Sequence, residues 1–153
     1  MKLQHSDYMR LALEEARRAH ALGEAPVGCL IVRDSTIVGR GHNTRETERT
    51  ALGHAELTAI QEACRTLNSW RLEGCRLYVT LEPCPMCMGA ILNARIEQVI
   101  FGAYDLKAGC CGSLIDFNQL GFNHRAEILG GICERECGEL LSEFFQKLRT
   151  PRP

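Results

Sequence analysis

The sequence contains no apolar run long enough to cross a bilayer. Residues 1–10 are polar and lead straight into a helical pattern, without the apolar core of a signal peptide. Both absences predict a cytoplasmic protein with no membrane partner. Charge of one sign is also missing: 18 Lys and Arg stand against 19 Asp and Glu, a net charge of −1. That excludes bulk attraction to nucleic acid as a driving force, while a local basic patch stays open, because binding depends on where charges sit. Internal repeats, low-complexity segments and linkers are absent too, so residues 1–153 are expected to form a single domain.

What is present in excess is cysteine, nine residues and therefore an odd number. Without a secretion signal, reduced thiols and metal ligands are the expected states rather than disulfides. The 45% hydrophobic content can build a core at this length without covalent staples.

Ser6 is placed to cap a helix whose apolar positions Met9, Ala12, Leu13, Ala16, Ala19 and Leu22 recur at helical spacing, with Gly23 as its stop. Residues 27–32 form a short apolar run, and Arg33-Asp34-Ser35 turns the chain into 36–38, a hairpin followed by a loop at 41–49. Helices are expected over 54–67 and 85–95, the latter with proline in its first turn, and over 132–148. Strands are expected over 77–81 and 99–103, with a loop at 104–112. Residues 126–129 fit either a short strand or a helix start. A hairpin followed by alternating strands and helices predicts an α/β layered domain with a mixed sheet.

The residues that carry chemistry are His54-Ala55-Glu56 and, further on, Pro83-Cys84-Pro85-Met86-Cys87. Imidazole nitrogen and thiolate are natural zinc ligands, and a catalytic zinc takes three protein ligands and leaves one position to water. His54, Cys84 and Cys87 supply that set. Zinc lowers the pKa of water in the open position to about 7. The two cysteines fall at a helix start seeded by Pro85, where the helix dipole favours thiolate. Glu56 as a fourth ligand would fill the open position, so its role is that of the proton carrier. A histidine, a glutamate two residues on and a distant Pro-Cys-x-x-Cys form the signature of zinc deaminases. The alternative is a structural zinc site in which Cys75, Cys110 or Cys111 completes the coordination. The glutamate and the prolines flanking Cys84 argue against it.

Over nearly its whole length the chain resembles the bacterial tRNA-specific adenosine deaminases. The matching segments include Gly23-Glu24-Ala25-Pro26-Val27-Gly28, Gly41-His42-Asn43, the two zinc motifs, Phe101-Gly102-Ala103, Gly112-Ser113-Leu114, Phe122-Asn123-His124-Arg125 and Leu140-Leu141-Ser142-Glu143-Phe144-Phe145. The resemblance implies a cytidine-deaminase-like three-layer α/β/α sandwich around a central mixed five-stranded sheet. It also implies a homodimer with one zinc ion per subunit, and conversion of adenosine to inosine at the wobble position of a tRNA anticodon stem-loop. Asn43 then hydrogen-bonds the flipped purine, with Val27 beside it. Asp105 and Lys107 lie on an RNA-facing loop, and Asn123, His124 and Arg125 hold neighbouring nucleotides. Phe145 offers a stacking surface, although its helical spacing suits core packing equally.

The chain departs from the family at Gly53 and Cys29, where alanine is usual. Gly53 is expected to loosen the following helix start. Basic residues near the end are few, Lys147, Arg149 and Arg152 among them. The remaining cysteines are expected to behave as small hydrophobes and Trp70 to pack against the core. Two rivals remain: a deaminase of free guanine, cytosine or cytidine, and a non-catalytic zinc-stabilised RNA-binding module.

Overall fold

The computed structural model describes residues 2–149, so Arg152 lies outside the described residues. Helix α1 (His5–Ala21) forms on the stripe of Met9, Ala12, Leu13, Ala16 and Ala19, all fully buried. Ser6, the expected cap, lies inside it. The cap is Gln4, whose backbone N–H donates to the Asp7 carboxylate at 2.8 Å. At the other end Gly23 adopts φ +80°, and the Glu24 N–H reaches back to the Ala19 carbonyl at 3.0 Å.

Strands β1 (Gly28–Arg33) and β2 (Thr36–His42) pair antiparallel across Asp34 and Ser35, both at positive φ, as a two-residue hairpin turn demands. β2 continues beyond Val38 into the segment expected to be loop. Gly39-Arg40-Gly41 lacks apolar alternation, yet it pairs with β1 as far as Gly28 opposite His42. The glycines are there for another reason. A Cβ on Gly41 would overlap the Ala55 carbonyl and approach the Ala59 nitrogen and the Thr58 Cβ to 2.9 Å, so only glycine lets helix α2 (Ala55–Leu67) lie flush on the strand.

β3 (Cys75–Leu81), α3 (Pro85–Asn93) and β4 (Gln98–Ala103) make a parallel crossover, followed by a 3₁₀ turn at 117–119, β5 (Glu127–Leu129) and α4 (Glu134–Arg149). α3 stops before the expected Arg95, which sits at φ +64° with its guanidinium on the Leu92 carbonyl at 2.9 Å. Residues 127–129 are a strand, parallel to β4. α4 starts later than expected, because Gly131 and Cys133 both take positive φ. The sheet runs β2-β1-β3-β4-β5 and is mixed, as expected.

Both sheet faces are apolar, so successive strand residues feed two cores. Leu30, Val32, Tyr78 and Ile100 pack with Met9 and Leu13 of α1 and Leu141 of α4. Cys29, Ile31, Leu77, Val79 and Phe101 pack with Ala59 of α2 and Met88 and Ile91 of α3. Three layers result. Trp70 does not join the core: it is 59% exposed in the α2–β3 connection, flanked by the Arg71 and Arg95 guanidiniums at 5.1 and 5.9 Å. Leu72, fully buried, takes the core position that this connection offers.

The topology brings four strand ends to one rim. β1 begins where its antiparallel neighbours β2 and β3 end, and β4 ends beside β3. The loops leaving these ends carry Val27, Asn43, the Pro83-Cys84 turn and Asp105. Gly41→Ala is expected to lower stability by about 1–3 kcal/mol through overpacking, and to push the start of α2 off the rim. Urea denaturation checks the first effect; an unchanged midpoint would contradict the flush packing of α2.

Candidate active site

Two helices begin at this rim, and the N-cap residue of each carries a potential metal ligand. His54 caps α2 at φ −95°, ψ 147°, and Cys84 caps α3 at φ −78°, ψ 175°. The extended backbone turns both side chains off their helix axes into the space between the two N-termini. Pro85 occupies the first helical position, where a missing N–H costs nothing. One turn on, Cys87 is fully buried and aims at the same space.

The His54 Nδ1 lies 3.5 Å from the Cys84 Sγ and 3.4 Å from the Cys87 Sγ, and the three donor atoms sit within 4.8 Å of one another. Tetrahedral zinc, with Zn–S of about 2.3 Å and Zn–N of about 2.0–2.1 Å, requires N···S separations of about 3.5 Å. The donor set fits a zinc ion. Among the described residues no other group of His, Cys, Asp or Glu is arranged to hold a metal, so Cys75, Cys110 and Cys111 do not close a fourth corner. All nine cysteines are free thiols. Hydrogen bonding from Cys87 pulls the Cys84 thiol down to about 4, and the same bond, with burial, pushes Cys87 far up. The hydrogen bond to Cys84 raises His54.

Glu56 is 3% exposed on the first turn of α2. Burial pushes its carboxyl up to about 7, against the pull of its own backbone N–H, and the Cys84 thiolate adds to the rise. Glu56, His54 and Cys84 line one cavity of about 460 Å³, a size suited to a small organic ligand. Val27, Asn43, Asp105 and Phe145 line it as well. Phe145 is 45% exposed and faces the cavity rather than the core, which leaves a ring face for stacking.

Asn43 is held in place by its own loop: its Nδ2 donates to the Ala25 carbonyl at 3.3 Å and its Oδ1 accepts from the Arg45 N–H at 3.1 Å. One Nδ2 hydrogen and one oxygen lone pair remain. Beneath it, His42 Nδ1 pairs with the buried Glu15 carboxylate at 3.0 Å. The Asp105 Oδ1 accepts from the Lys107 and Ala108 N–H groups at 3.0 and 3.2 Å, an Asx turn. Lys107 is exposed outside the cavity.

Three expected residues lie elsewhere. Asn123 and His124 line a separate cavity of about 240 Å³ with Arg95 and Phe122, and Arg125 is exposed. His124 Nε2 bonds the Ile96 carbonyl at 2.7 Å, so one ring nitrogen already anchors the loop. Gly53 precedes α2 rather than weakening it: a Cβ there would approach the Arg45 backbone to 2.8 Å. Sequence reasoning did not single out Glu24, Arg45, Glu82, Phe144 or Leu148, which also line the main cavity. For Glu82 a signal was available, a carboxylate at the end of an apolar strand and directly before Pro-Cys.

With this geometry in view, the cytidine and deoxycytidylate deaminase zinc-binding region matches residues 2–103, and the chain belongs to that family. Within it, the chain belongs with the tRNA-specific adenosine deaminases. It is 52% identical to the tRNA-specific adenosine deaminase of Bacillus subtilis over 146 residues, 95% of this chain and 91% of the relative. Against that of Aquifex aeolicus it is 50% identical, covering 94% and 95% of the two chains. A tRNA:A34 deaminase, solved in a study of A-to-I editing at the wobble position of transfer RNA, superposes with a TM-score of 0.84 at 40% identity, covering 88% of this chain and 99% of that one. A guanine deaminase from Nitrosomonas europaea shares the fold at 21% identity, with a TM-score of 0.77 and coverage of 91% and 83%.

Cys87→Ala is expected to abolish zinc binding and Cys110→Ala to leave one ion per chain, as measured by atomic absorption on the purified proteins. Equal zinc in both variants would break the ligand assignment.

Proposed function

We propose that this protein is a zinc-dependent hydrolase that converts adenosine to inosine at the wobble position of a tRNA anticodon, with His54, Cys84 and Cys87 as the metal ligands and Glu56 as the proton carrier. One observation carries the chemistry: a three-donor cluster of zinc dimensions borders, through His54 and Cys84, a cavity that holds a buried carboxylate. The nucleic-acid substrate is supported by identities of 52% and 50% to tRNA-specific adenosine deaminases.

Zinc in this site supplies a Lewis acid that lowers the pKa of water to about 7. Glu56 accepts a proton from the attacking water, whose oxygen adds to C6 of the purine, and hands that proton to N1. It then carries the second proton to the exocyclic amine, the C6–N bond breaks, and ammonia leaves with inosine as product. Asn43 has the free hydrogen and lone pair needed to hold the purine edge, and its loop bonds keep the amide from swinging. Asp105 keeps one carboxylate oxygen for a ribose 2′-hydroxyl, the group that separates RNA from DNA. Lys107 stands ready for a phosphate, and Phe145 for a base expelled from the stack. An anticodon loop is already single-stranded, so extrusion of its base costs less than flipping from a duplex.

The working state is a homodimer in the cytoplasm. An apolar group on the 104–122 segment, Leu114, Ile115, Leu120 and Phe122, each at least 40% exposed, supports an interface there. Asn123 and His124, remote from the main cavity in one chain, would then face a neighbouring subunit's substrate. No helix among the described residues is long and apolar enough to cross a membrane.

Glu56→Ala is expected to keep zinc and fold and to lower turnover by about a hundredfold to ten-thousandfold, the range general acid–base catalysis contributes. The assay is inosine in an anticodon stem-loop, read as guanosine after reverse transcription. Retained activity would remove Glu56 from the mechanism. Unchanged adenosine beside ammonia release from free guanine or cytosine would transfer the protein to the free-base deaminases.

A further inference from the structure

Among the described residues, three acidic side chains besides Glu56 are buried: Glu15, Glu24 and Glu82. Glu82 stands between two parts of the site. It follows β3 directly, precedes the Pro83-Cys84 turn, and is 2% exposed. Its N–H donates to the Ala103 carbonyl at the end of β4, at 2.9 Å. All the donors to its carboxylate come from one loop, residues 105–113. Oε1 accepts from the Asp105 N–H at 3.1 Å and from the Ser113 hydroxyl. Oε2 accepts from the Cys111 and Ser113 N–H groups at 3.0 and 3.2 Å. The Cys110 N–H adds a bond to the Pro83 carbonyl at 2.9 Å.

The loop has no helix or strand of its own; it turns on the Gly109 N–H to the Asp105 carbonyl at 2.8 Å and on an isolated Cys111–Asp116 bridge, and the bonds to Glu82 and Pro83 fasten it to the turn before Cys84. Hydrogen bonds to a carboxylate are stronger than neutral ones, and burial strengthens them further. The grip begins at Asp105, whose own carboxylate then turns the backbone through Lys107 and Ala108. We propose that Glu82 is a positioning residue for substrate binding. It ties the loop that presents Asp105 and Lys107 to the turn that presents Cys84, so that the RNA grip and the metal site form one rigid body. The proposal rests on the reading of that loop as RNA-facing.

Glu82→Gln separates this role from simple packing. The amide is isosteric, and its oxygen can keep the Cys111 and Ser113 N–H groups. Its NH₂ then replaces Oε1, where the Ser113 hydroxyl can turn to accept but the Asp105 N–H cannot. The substitution therefore releases the Asp105 end of the loop alone. With one zinc per chain retained, KM for an anticodon stem-loop is expected to rise about tenfold while kcat stays within about twofold. Ser113→Ala removes the other donor to Oε1 and so loosens the oxygen that holds the Asp105 N–H; it should raise KM by about threefold, and it decides the matter if Glu82→Gln fails to fold. In an Asp105→Ala background, Glu82→Gln should add nothing further, because both act through one group.

A fall in kcat at unchanged KM, or effects of Glu82→Gln and Asp105→Ala that multiply, would overturn the positioning role. So would an unchanged KM in Ser113→Ala when Glu82→Gln does not fold. An unaffected KM in Glu82→Gln beside a raised KM in Asp105→Ala overturns this inference alone. A silent Asp105→Ala overturns the RNA-facing reading of the loop and, with it, this one.

Discussion

An imidazole and two sulfurs meet at zinc-binding distance only because two helices start at the same point above one face of the sheet. The first donors, His54 and Cys84, are N-cap residues, and each must leave its helix in extended conformation to face the other. Neither side chain is long enough to compensate for a displaced helix. The position of α2 is therefore set by packing outside the donor set, Gly41 against the Ala55 carbonyl and the small residues Ala59 and Ala63 against the sheet. The position of α3 follows from the parallel β3–β4 crossover, which leads the chain from the rim back across the same face. Both N-termini point their positive dipole ends at the donors, the polarity that favours thiolate there.

The same rim explains why the remaining residues gather where they do. Strand ends are backbone positions held by ladder hydrogen bonds, so loops that leave them begin with little freedom. Buried acids then restrain what the ladder does not. Glu24 accepts from the Glu46 and Thr47 N–H groups and holds the 43–49 loop, while Glu82 holds the 105–113 loop. Glu15 pairs with His42 beneath Asn43. Each sits in or beside the wall of the cavity, with its charge met by donors from the loop or strand it steadies. These acids order the walls before any substrate arrives, which lowers the entropy lost on binding.

Much of this was legible in the sequence wherever a residue's role is local. The Cys84–Cys87 spacing, Pro85 and the His54–Glu56 pair depend on short spacings and on helix-start chemistry, while the meeting of the two motifs, 30 residues apart, was legible only as a known signature of zinc deaminases. The α1 stripe and the strand runs were legible as local patterns. What was hidden depends on contacts between distant segments. Gly41 looked like loop material because the helix that requires it lies well beyond it in the chain. Gly53 looked like a weak helix start, although its constraint is the Arg45 backbone. Trp70 looked like core by residue type, yet Leu72 takes the buried place. Glu82 looked like one more acidic residue before a cysteine, because its four donors lie 23 to 31 residues later.

Net charge was the least informative feature, and the structure gives the reason. The outer side of α4 carries Glu134, Glu136, Glu139 and Glu143, and Glu139 and Glu143 pair there with Arg135 and Lys147. These charges raise the acidic count, and Glu134, Glu139 and Glu143 line a separate cavity with Tyr104 and Leu106. Of the residues that line the cavity at the rim, Arg45 alone is a Lys or Arg, with Lys107 exposed outside it. What the rim holds rigid is a cavity of about 460 Å³, an amide and a carboxylate with unused capacity, and an aromatic face, the features on which the proposed recognition rests. A protein built this way discriminates by shape and hydrogen bonding at one extruded base, and its loops must be stiff before the RNA arrives, because there is little long-range attraction to offset the cost of ordering them afterwards.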